Sequence, residues 1–192
     1  MEKWIHAMAV RQAEKKRISA SDIEILQYGY RLMAEKICAL ALTIMIAGIM
    51  GAWREAFLFC VAFIPLRVYA GGYHAAGTGY CMALSALILI VQVYAVRWLI
   101  RWDMGLWPIG MEIVLFLLLL YFSPVETGNR RIGKSEKRYF RKMVCFIYGM
   151  MLIVEIIMMM HGYTDIPISF MSAHFTNVMT VFFGAVIQKR NS

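Results

Sequence analysis

The sequence predicts an all-α integral membrane protein with about six transmembrane helices, N-terminal interfacial helices and both termini in the cytoplasm. The 192 residues are 61% hydrophobic and only 17% charged, against about 25% charged in an ordinary soluble domain. A single domain of this length keeps much of its surface wet and cannot hide so many apolar side chains inside. The mean hydropathy is +0.62, and apolar runs of membrane-spanning length recur along the chain.

Residues 1–36 are predicted to form interfacial amphipathic helices. Leu26, Tyr30 and Met33 recur at roughly helical spacing, with charged residues between them. This pattern is typical of helices that lie in the membrane interface, although its narrow apolar stripe also fits an ordinary soluble lead-in. We interpret 1–192 as a single membrane-embedded domain, with interfacial helices in 1–36, a transmembrane bundle in 37–187 and a basic tail in 188–192.

Six apolar runs follow the N-terminal segment. Most have 17–22 residues, so a helix of that length would extend about 25–33 Å, close to the hydrocarbon thickness of a bilayer. The second run is the weakest, because Pro65 and Arg67 interrupt it. The runs are 37–53, 56–66 with a continuation towards 73, 80–96, 106–125, 143–160 and 166–187.

The distribution of positive charge predicts the orientation. With the N-terminus in the cytoplasm, 17 of the 20 Lys and Arg residues fall in cytoplasmic segments, and only Arg54, Arg97 and Arg101 fall outside. This asymmetry follows the positive-inside rule. Topology and anionic lipid therefore explain the net charge of +8, and we predict a lipid bilayer and no nucleic acid as partner.

The remaining cysteine and motif patterns predict no metal and no cofactor. Cys38, Cys60 and Cys145 fit small apolar fillers of membrane spans, and no C-x-x-C pair indicates a disulfide framework or a zinc site. The H-E-x-x-H motif of metallopeptidases and the G-x-S-x-G elbow of serine hydrolases are both missing from the sequence.

One stretch, RVYAGGYHAAGTGYCMAL at residues 67–84, combines reactive residue types with glycines. On an unbroken helix, His74 and Cys81 would lie two turns apart, about 10 Å along the axis, which is too far for the hydrogen bond that an activated nucleophile needs. Gly77 and Gly79 lie between them and free the backbone to fold back. We therefore expect the chain to break between residues 75 and 80.

The same stretch predicts how a thiolate would be stabilised. Thr78 is expected to cap a helix that starts near Tyr80, which places Cys81 in the first turn. The free amides and the positive dipole end of that turn favour a thiolate and could hold an oxyanion. His74 would serve as a base or as an imidazolium partner. Taken singly, each residue also fits a plainer role: an apolar filler cysteine, a solvated histidine, a glycine turn.

The sequence of this stretch resembles a known signature. The pattern R-x-Y-A-G-G-Y-H-A, with a cysteine seven residues after the histidine, is similar to that of the accessory gene regulator B (AgrB-like) family of bacterial membrane peptidases. The basic N-terminal segment, the basic loop after a central P-V and the short basic tail fit the same plan. The run SPVETGNRRIG from residue 123 departs from that family's pattern, because Arg130 and Arg131 stand where lysine and proline are common.

The resemblance implies that His74 and Cys81 form the catalytic dyad of a cysteine endopeptidase. Such an enzyme would remove the acidic C-terminal tail of an AgrD-like propeptide. It would form an acyl-enzyme thioester and resolve it by cyclisation to a thiolactone or lactone quorum-sensing peptide. The implied location is the bacterial plasma membrane, with the active site at the cytoplasmic face and the propeptide and the bilayer as partners.

Three further residues are candidates for binding the substrate: Arg67, Gly72 and Thr78. The Arg67 guanidinium suits a substrate carboxylate or carbonyl. Its plainer interpretation is an interfacial arginine whose charged head reaches towards water.

The polar residues within the apolar runs support an alternative function. Glu155 and His174 would line the path of a small transporter or exporter of a peptide or ion that makes no use of Cys81 chemistry. We favour hydrogen bonds across the bundle for both residues and for Asn177. Gln92 is expected to face protein, and we expect Glu112 to reach water near the outer end of its span. A noncatalytic scaffold is a third hypothesis. No strong GxxxG pair argues a dimer seam, and a homodimer stays open.

Overall fold

The computed structural model describes residue 10 and residues 20–72, 78–102, 106–125 and 133–190. Within these residues all regular structure is helical, which confirms the predicted fold class. The helices are α1 (Ala20–Met50), α2 (Trp53–Ala70), α3 (Thr78–Ile100), α4 (Trp107–Phe122), α5 (Lys134–Met160) and α6 (Asp165–Arg190).

Four of these helices contain segments long and apolar enough to cross a membrane: Met33–Met50, Gly79–Ile100, Lys134–Met160 and Asp165–Arg190. Helix α4 is apolar but shorter. Helix α2 carries Arg54, Glu55 and Arg67 and is not in this set. The count of six spans and the cytoplasmic position of both termini stay predictions.

Two helices differ clearly from the predicted runs. Helix α1 continues without a break through the boundary expected after residue 36 and ends at Met50, where Gly51 adopts a φ of +56°. Helix α5 begins nine residues earlier than expected. The residues before Met143 are charged, but Lys, Glu and Arg are strong helix formers. A search for apolar runs alone therefore misses the first turns of α5.

The chain divides into two compact units, Met1–Met45 and Ile46–Ser192. In the larger unit α6 is the central helix, since 44% of its candidate span is buried against 22% for the spans of α3 and α5. It packs against each of the helices α2 to α5. The middle of the core consists of four fully buried side chains: Leu66, Leu119, Val144 and Val181.

Ion pairs fasten one end of this bundle. Arg97 Nε donates to Glu55 at 2.6 Å, and Arg97 Nη2 donates to the Gly51 carbonyl at 2.9 Å. Arg54 pairs with Asp165 at 2.5 Å. Arg54 and Arg97, two of the three cations predicted to lie outside the cytoplasm, therefore lie together. They are found where α2 and α6 begin and α3 ends. Arg67, at the other end of α2, lies at the opposite end of the bundle.

His174 and Asn177 form hydrogen bonds across the bundle, as predicted, whereas the carboxylate oxygens of Glu155 have no hydrogen-bond partner within the described residues. The Gln92 amide donates to the Ser169 carbonyl at 3.4 Å, and the Asn177 amide donates to the Phe63 carbonyl at 3.2 Å. His174 contacts Glu112. The expectation that Glu112 reaches water is wrong, because this side chain is 0% exposed. The Glu112 side chain lies near the start of α4 and faces α5 and α6 rather than the outer surface.

The predicted orientation can be tested by labelling in intact cells. In a chain whose cysteines are all replaced by alanine, Arg101→Cys should react with a membrane-impermeant maleimide without permeabilisation. Lys189→Cys should react only after permeabilisation, since both residues are exposed but at opposite predicted faces. Labelling of both positions from the same side would contradict the odd number of crossings, three, that is predicted between Arg101 and Lys189.

Candidate active site

The site begins where α2 ends, at two glycines in backbone conformations that other residues rarely adopt. Gly71 has a φ of +74° and Gly72 a φ of +128°. The Gly71 amide donates to the Arg67 carbonyl at 3.3 Å, which closes the last turn of α2. A Cβ on Gly71 would lie 2.5 Å from the Val125 carbonyl oxygen. Glycine is therefore required here both by conformation and by space.

The segment after α4 reaches this turn because Val125 is tied to the end of α2. Its amide donates to the Ala70 carbonyl at 3.1 Å. Pro124 cannot continue a helix and disfavours helical backbone before it, so α4 ends at Phe122. The run predicted to extend to residue 125 thus stops three residues earlier, and the freed residues cover the glycine turn.

Arg67 lies against Gly72. Its Nη1 donates to the Gly71 carbonyl at 2.6 Å. A Cβ on Gly72 would lie 1.7 Å from that Nη1 atom and 3.1 Å from the Thr180 carbonyl of α6. Gly72 therefore leaves the room that the guanidinium occupies. The structure gives Gly72 a clear positioning role, and contact of Gly72 with a substrate stays a prediction.

Helix α3 begins at Thr78, and Cys81 is the fourth residue in it. An unbroken helix through residues 67–84 is excluded, because α2 ends at Ala70. The break starts earlier than expected, at Gly71. Gly79, which we expected to help form the break, is helical. Cys81 lies in the first turn, as predicted, where free amides favour a thiolate. Its thiol is free and half-buried.

Arg67 and Cys81 interact electrostatically. Burial lowers the pKa of the Arg67 guanidinium to about 10, and the charge of a Cys81 thiolate raises that pKa. Arg67 lies outside the four candidate spans and remains a cation at neutral pH. Arg67 therefore keeps a positive charge within electrostatic reach of Cys81.

The other predicted residues are only partly visible. His74 lies outside the described residues, in the sequence 73–77 that connects Gly72 to Thr78. For Thr78 the structure describes the backbone, which starts α3 two residues before the expected position. The structure therefore places Arg67 against Gly72 and Cys81 within electrostatic reach of Arg67, and the His74–Cys81 pair stays a prediction.

Beside the glycine turn lies an open groove of about 850 Å³, which we call the basic groove. The groove is formed by the end of α4 and the first turns of α5. It is lined by Tyr121, Phe122, Ser123, Pro124, Lys134, Lys137, Arg138, Arg141, Lys142, Cys145 and Phe146.

The basic groove is built to attract anions. Five of its side chains are Lys or Arg, and they stand at the start of α5, where the helix dipole adds to their positive charge. Arg141 Nε donates to the Ser123 carbonyl at 3.1 Å and so joins the two walls. Within the described residues, the buried Ser123 hydroxyl has no hydrogen-bond partner. The sequence predicted a basic loop here but not a groove, because only packing brings residues 121–124 to α5.

One cysteine, Cys145, differs from the predicted filler role. Among the four, Cys145 is exposed and lines the basic groove, while Cys38 and Cys60 are half-buried. The apolar residues around a cysteine do not show whether its side chain faces lipid, core or groove, so the sequence could not make this distinction.

Comparisons with known proteins agree on one family. The model of a protein family described as Accessory gene regulator B matches residues 2–188. A putative AgrB-like protein of Clostridium acetobutylicum is 22% identical over 152 residues, which cover 79% of this chain and 72% of that protein. No solved structure matches.

The basic groove should bind an acidic peptide. The double variant Arg138→Glu, Lys142→Glu should weaken binding of a fluorescent Glu-rich peptide to the purified chain by about tenfold or more at low salt, because both cations line the groove. Fluorescence anisotropy measures this, and added salt should weaken wild-type binding.

The matched control is Lys189→Glu, Arg190→Glu, which reverses the same amount of charge in the last turn of α6. This variant should bind nearly as well as wild type. Equal loss in both double variants would show that net charge, rather than the groove, attracts the peptide.

Proposed function

The chain belongs to the accessory gene regulator B family, which supports a part in processing quorum-sensing peptides, and on this premise we propose that it is a membrane-embedded cysteine endopeptidase. Its substrate is a small AgrD-like propeptide with an acidic C-terminal tail. Cys81 is the nucleophile and His74 the general acid and base. The enzyme works in the bacterial plasma membrane with its active site at the cytoplasmic face.

The observation that carries this proposal is the position of Cys81. The thiol lies in the first turn of α3 and close enough to Arg67 for a thiolate to affect the guanidinium. A helix N-terminus and a neighbouring cation are the two environments that most favour a reactive thiolate. Cys60 has neither, and burial raises the pKa of a thiol in such apolar surroundings. The electrostatic surroundings of Cys81 thus differ from those of Cys60.

The reaction follows from these groups. The Cys81 thiolate attacks the carbonyl carbon at the end of the future signal, and a C–S bond forms. The C–N bond breaks, and the departing tail takes a proton from the His74 imidazolium. An acyl-enzyme thioester remains. A thiol or hydroxyl within the peptide then gives its proton to His74 and attacks the thioester, which closes a thiolactone or lactone ring and releases Cys81.

Free backbone amides at the start of α3 suit the oxyanion of each tetrahedral intermediate. The cleavage and cyclisation together consume no water, so the thioester must be kept from hydrolysis. An acyl group held at a membrane face, beside a half-buried thiol, meets less water than one held in an open cleft.

The basic groove supports the choice of an acidic substrate. It is continuous with the glycine turn through Ser123, Pro124 and Val125, and the Val125 amide is bonded to Ala70. An acidic tail bound in the groove would therefore lead its scissile bond towards the turn between α2 and α3. In this arrangement the leaving segment binds in the groove, and the bond is cleaved at Cys81. Contacts made away from the reacting atoms can position the scissile bond in this way.

Cleavage can be tested by expressing the chain with its cognate precursor. Wild type should release the acidic tail, and mass spectrometry should detect the shortened or cyclised peptide. Cys81→Ala and His74→Ala should leave the precursor whole, because they remove the nucleophile and the proton donor.

Cys60→Ala is the matched control for this experiment, since it removes a half-buried thiol of α2 by the same substitution. It should process the precursor like wild type. Normal release of the tail by both Cys81→Ala and Cys81→Ser would refute the proposed mechanism.

A further inference from the structure

A cluster of buried polar side chains in the bundle takes no part in the proposed peptide chemistry. Glu112 of α4, Glu155 of α5 and His174 of α6 are each 0% exposed. Eleven residues separate Glu112 from Ser123, which corresponds to about 16 Å along a helix. The cluster is therefore remote from the glycine turn and needs an explanation of its own.

The three side chains converge on one point. His174 Nδ1 lies 2.8 Å from Glu112 Oε2, 2.9 Å from Glu112 Oε1 and 3.9 Å from Glu155 Oε1. One nitrogen or oxygen atom from each residue lies within 4.8 Å of the others. The Tyr148 hydroxyl also donates to the Glu112 carboxylate, which fixes that side chain from α5.

Glu155 is the unexplained member of the cluster. Within the described residues, neither of its carboxylate oxygens has a hydrogen-bond partner. Its one ion pair there is the long contact with His174, and no Lys or Arg of the described residues pairs with either carboxylate. A buried carboxylate whose charge is not neutralised is costly, above all in a membrane protein. The site therefore calls for a positive charge.

The other side of the histidine ring indicates where its lone pair points. Nε2 of His174 lies 3.4 Å from the Met151 sulfur, which accepts a hydrogen bond but has no proton to give. A bound cation would replace the Nδ1 proton that otherwise donates to Glu112, and with the ring proton on Nε2 the lone pair of Nδ1 would face the cation. Three groups with lone pairs then surround one point, which is the arrangement that a cation needs.

We propose that Glu112, Glu155 and His174 bind one divalent transition-metal ion of the zinc class. Imidazole nitrogen and carboxylate oxygen are ordinary zinc ligands, with bonds of about 2.0–2.2 Å that place tetrahedral ligand atoms about 3.3 Å apart. The distances of 2.8 Å and 3.9 Å from His174 Nδ1 lie on either side of that value. The charge also balances, since a 2+ ion neutralises two carboxylates beside a neutral imidazole.

The role of this ion is structural. It joins α4, α5 and α6, and Tyr148 acts as the outer partner that orients a ligand. The sequence predicted no metal because the three ligands come from three helices and follow no short spacing motif. Only the packing of the helices reveals them.

Zinc binding by the purified full-length chain in detergent tests this proposal. The Cys81→Ala background removes the reactive thiol as a competing ligand. After incubation with Zn²⁺ and gel filtration, elemental analysis should find about one zinc per chain, and a chelator should lower Tm. Glu155→Gln should weaken zinc binding by at least about a hundredfold, because loss of an outer partner alone costs about tenfold to a hundredfold. The Tm of this variant should not respond to the chelator.

Glu136→Gln is the matched control, because it makes the same substitution on α5 outside the cluster and should retain zinc. A second readout needs no variant: Co²⁺ should give the visible absorption of a tetrahedral site, and Zn²⁺ should abolish it. The proposal is overturned if the Cys81→Ala chain binds no more zinc than its Glu155→Gln variant and if the chelator leaves the Tm of the Cys81→Ala chain unchanged. Protons shared between the carboxylates would then balance the charge.

Discussion

The close approach of Arg67 to Gly72 is the constraint on which the rest of the site depends. Any side chain at Gly72 would occupy the space of the guanidinium, since a Cβ there would lie 1.7 Å from Nη1. Gly71 similarly lets Val125 lie against the end of α2. The two glycines thus end α2, hold a cation close to Cys81 and connect the turn to the basic groove. One dipeptide therefore links the position of Arg67 with the proposed substrate path.

The larger unit separates its charges between its two ends, and this separation suits the proposed chemistry. Arg54 and Arg97 are neutralised by Asp165 and Glu55 at one end. At the other end Arg67 and the cations of α5 face a thiol and an open groove. Ion pairs therefore lie at one end of the bundle, and the cation-lined groove lies at the other.

Much of the fold could be predicted from apolar runs, and the errors have physical causes. Helices α3 and α6 follow the predicted runs because lipid selects for apolar length. The start of α5 was missed because charged residues also form helices. Cys81 in a first turn was predicted from local glycine and threonine patterns. The roles of Gly71, the groove and the Glu112 cluster were not, since each depends on contacts between distant segments.

The most direct measurement compares the alkylation rate of Cys81 by iodoacetamide in Gly72→Ala and Gly79→Ala. Peptide mass spectrometry follows each cysteine separately, with Cys60 as internal reference. A methyl at Gly72 displaces Arg67, whereas at Gly79 nothing lies within 4 Å of it. Gly72→Ala should react at least about threefold more slowly than wild type, because the thiolate loses a neighbouring cation. Gly79→Ala should react like wild type. Equal rates in wild type and both variants would contradict the account.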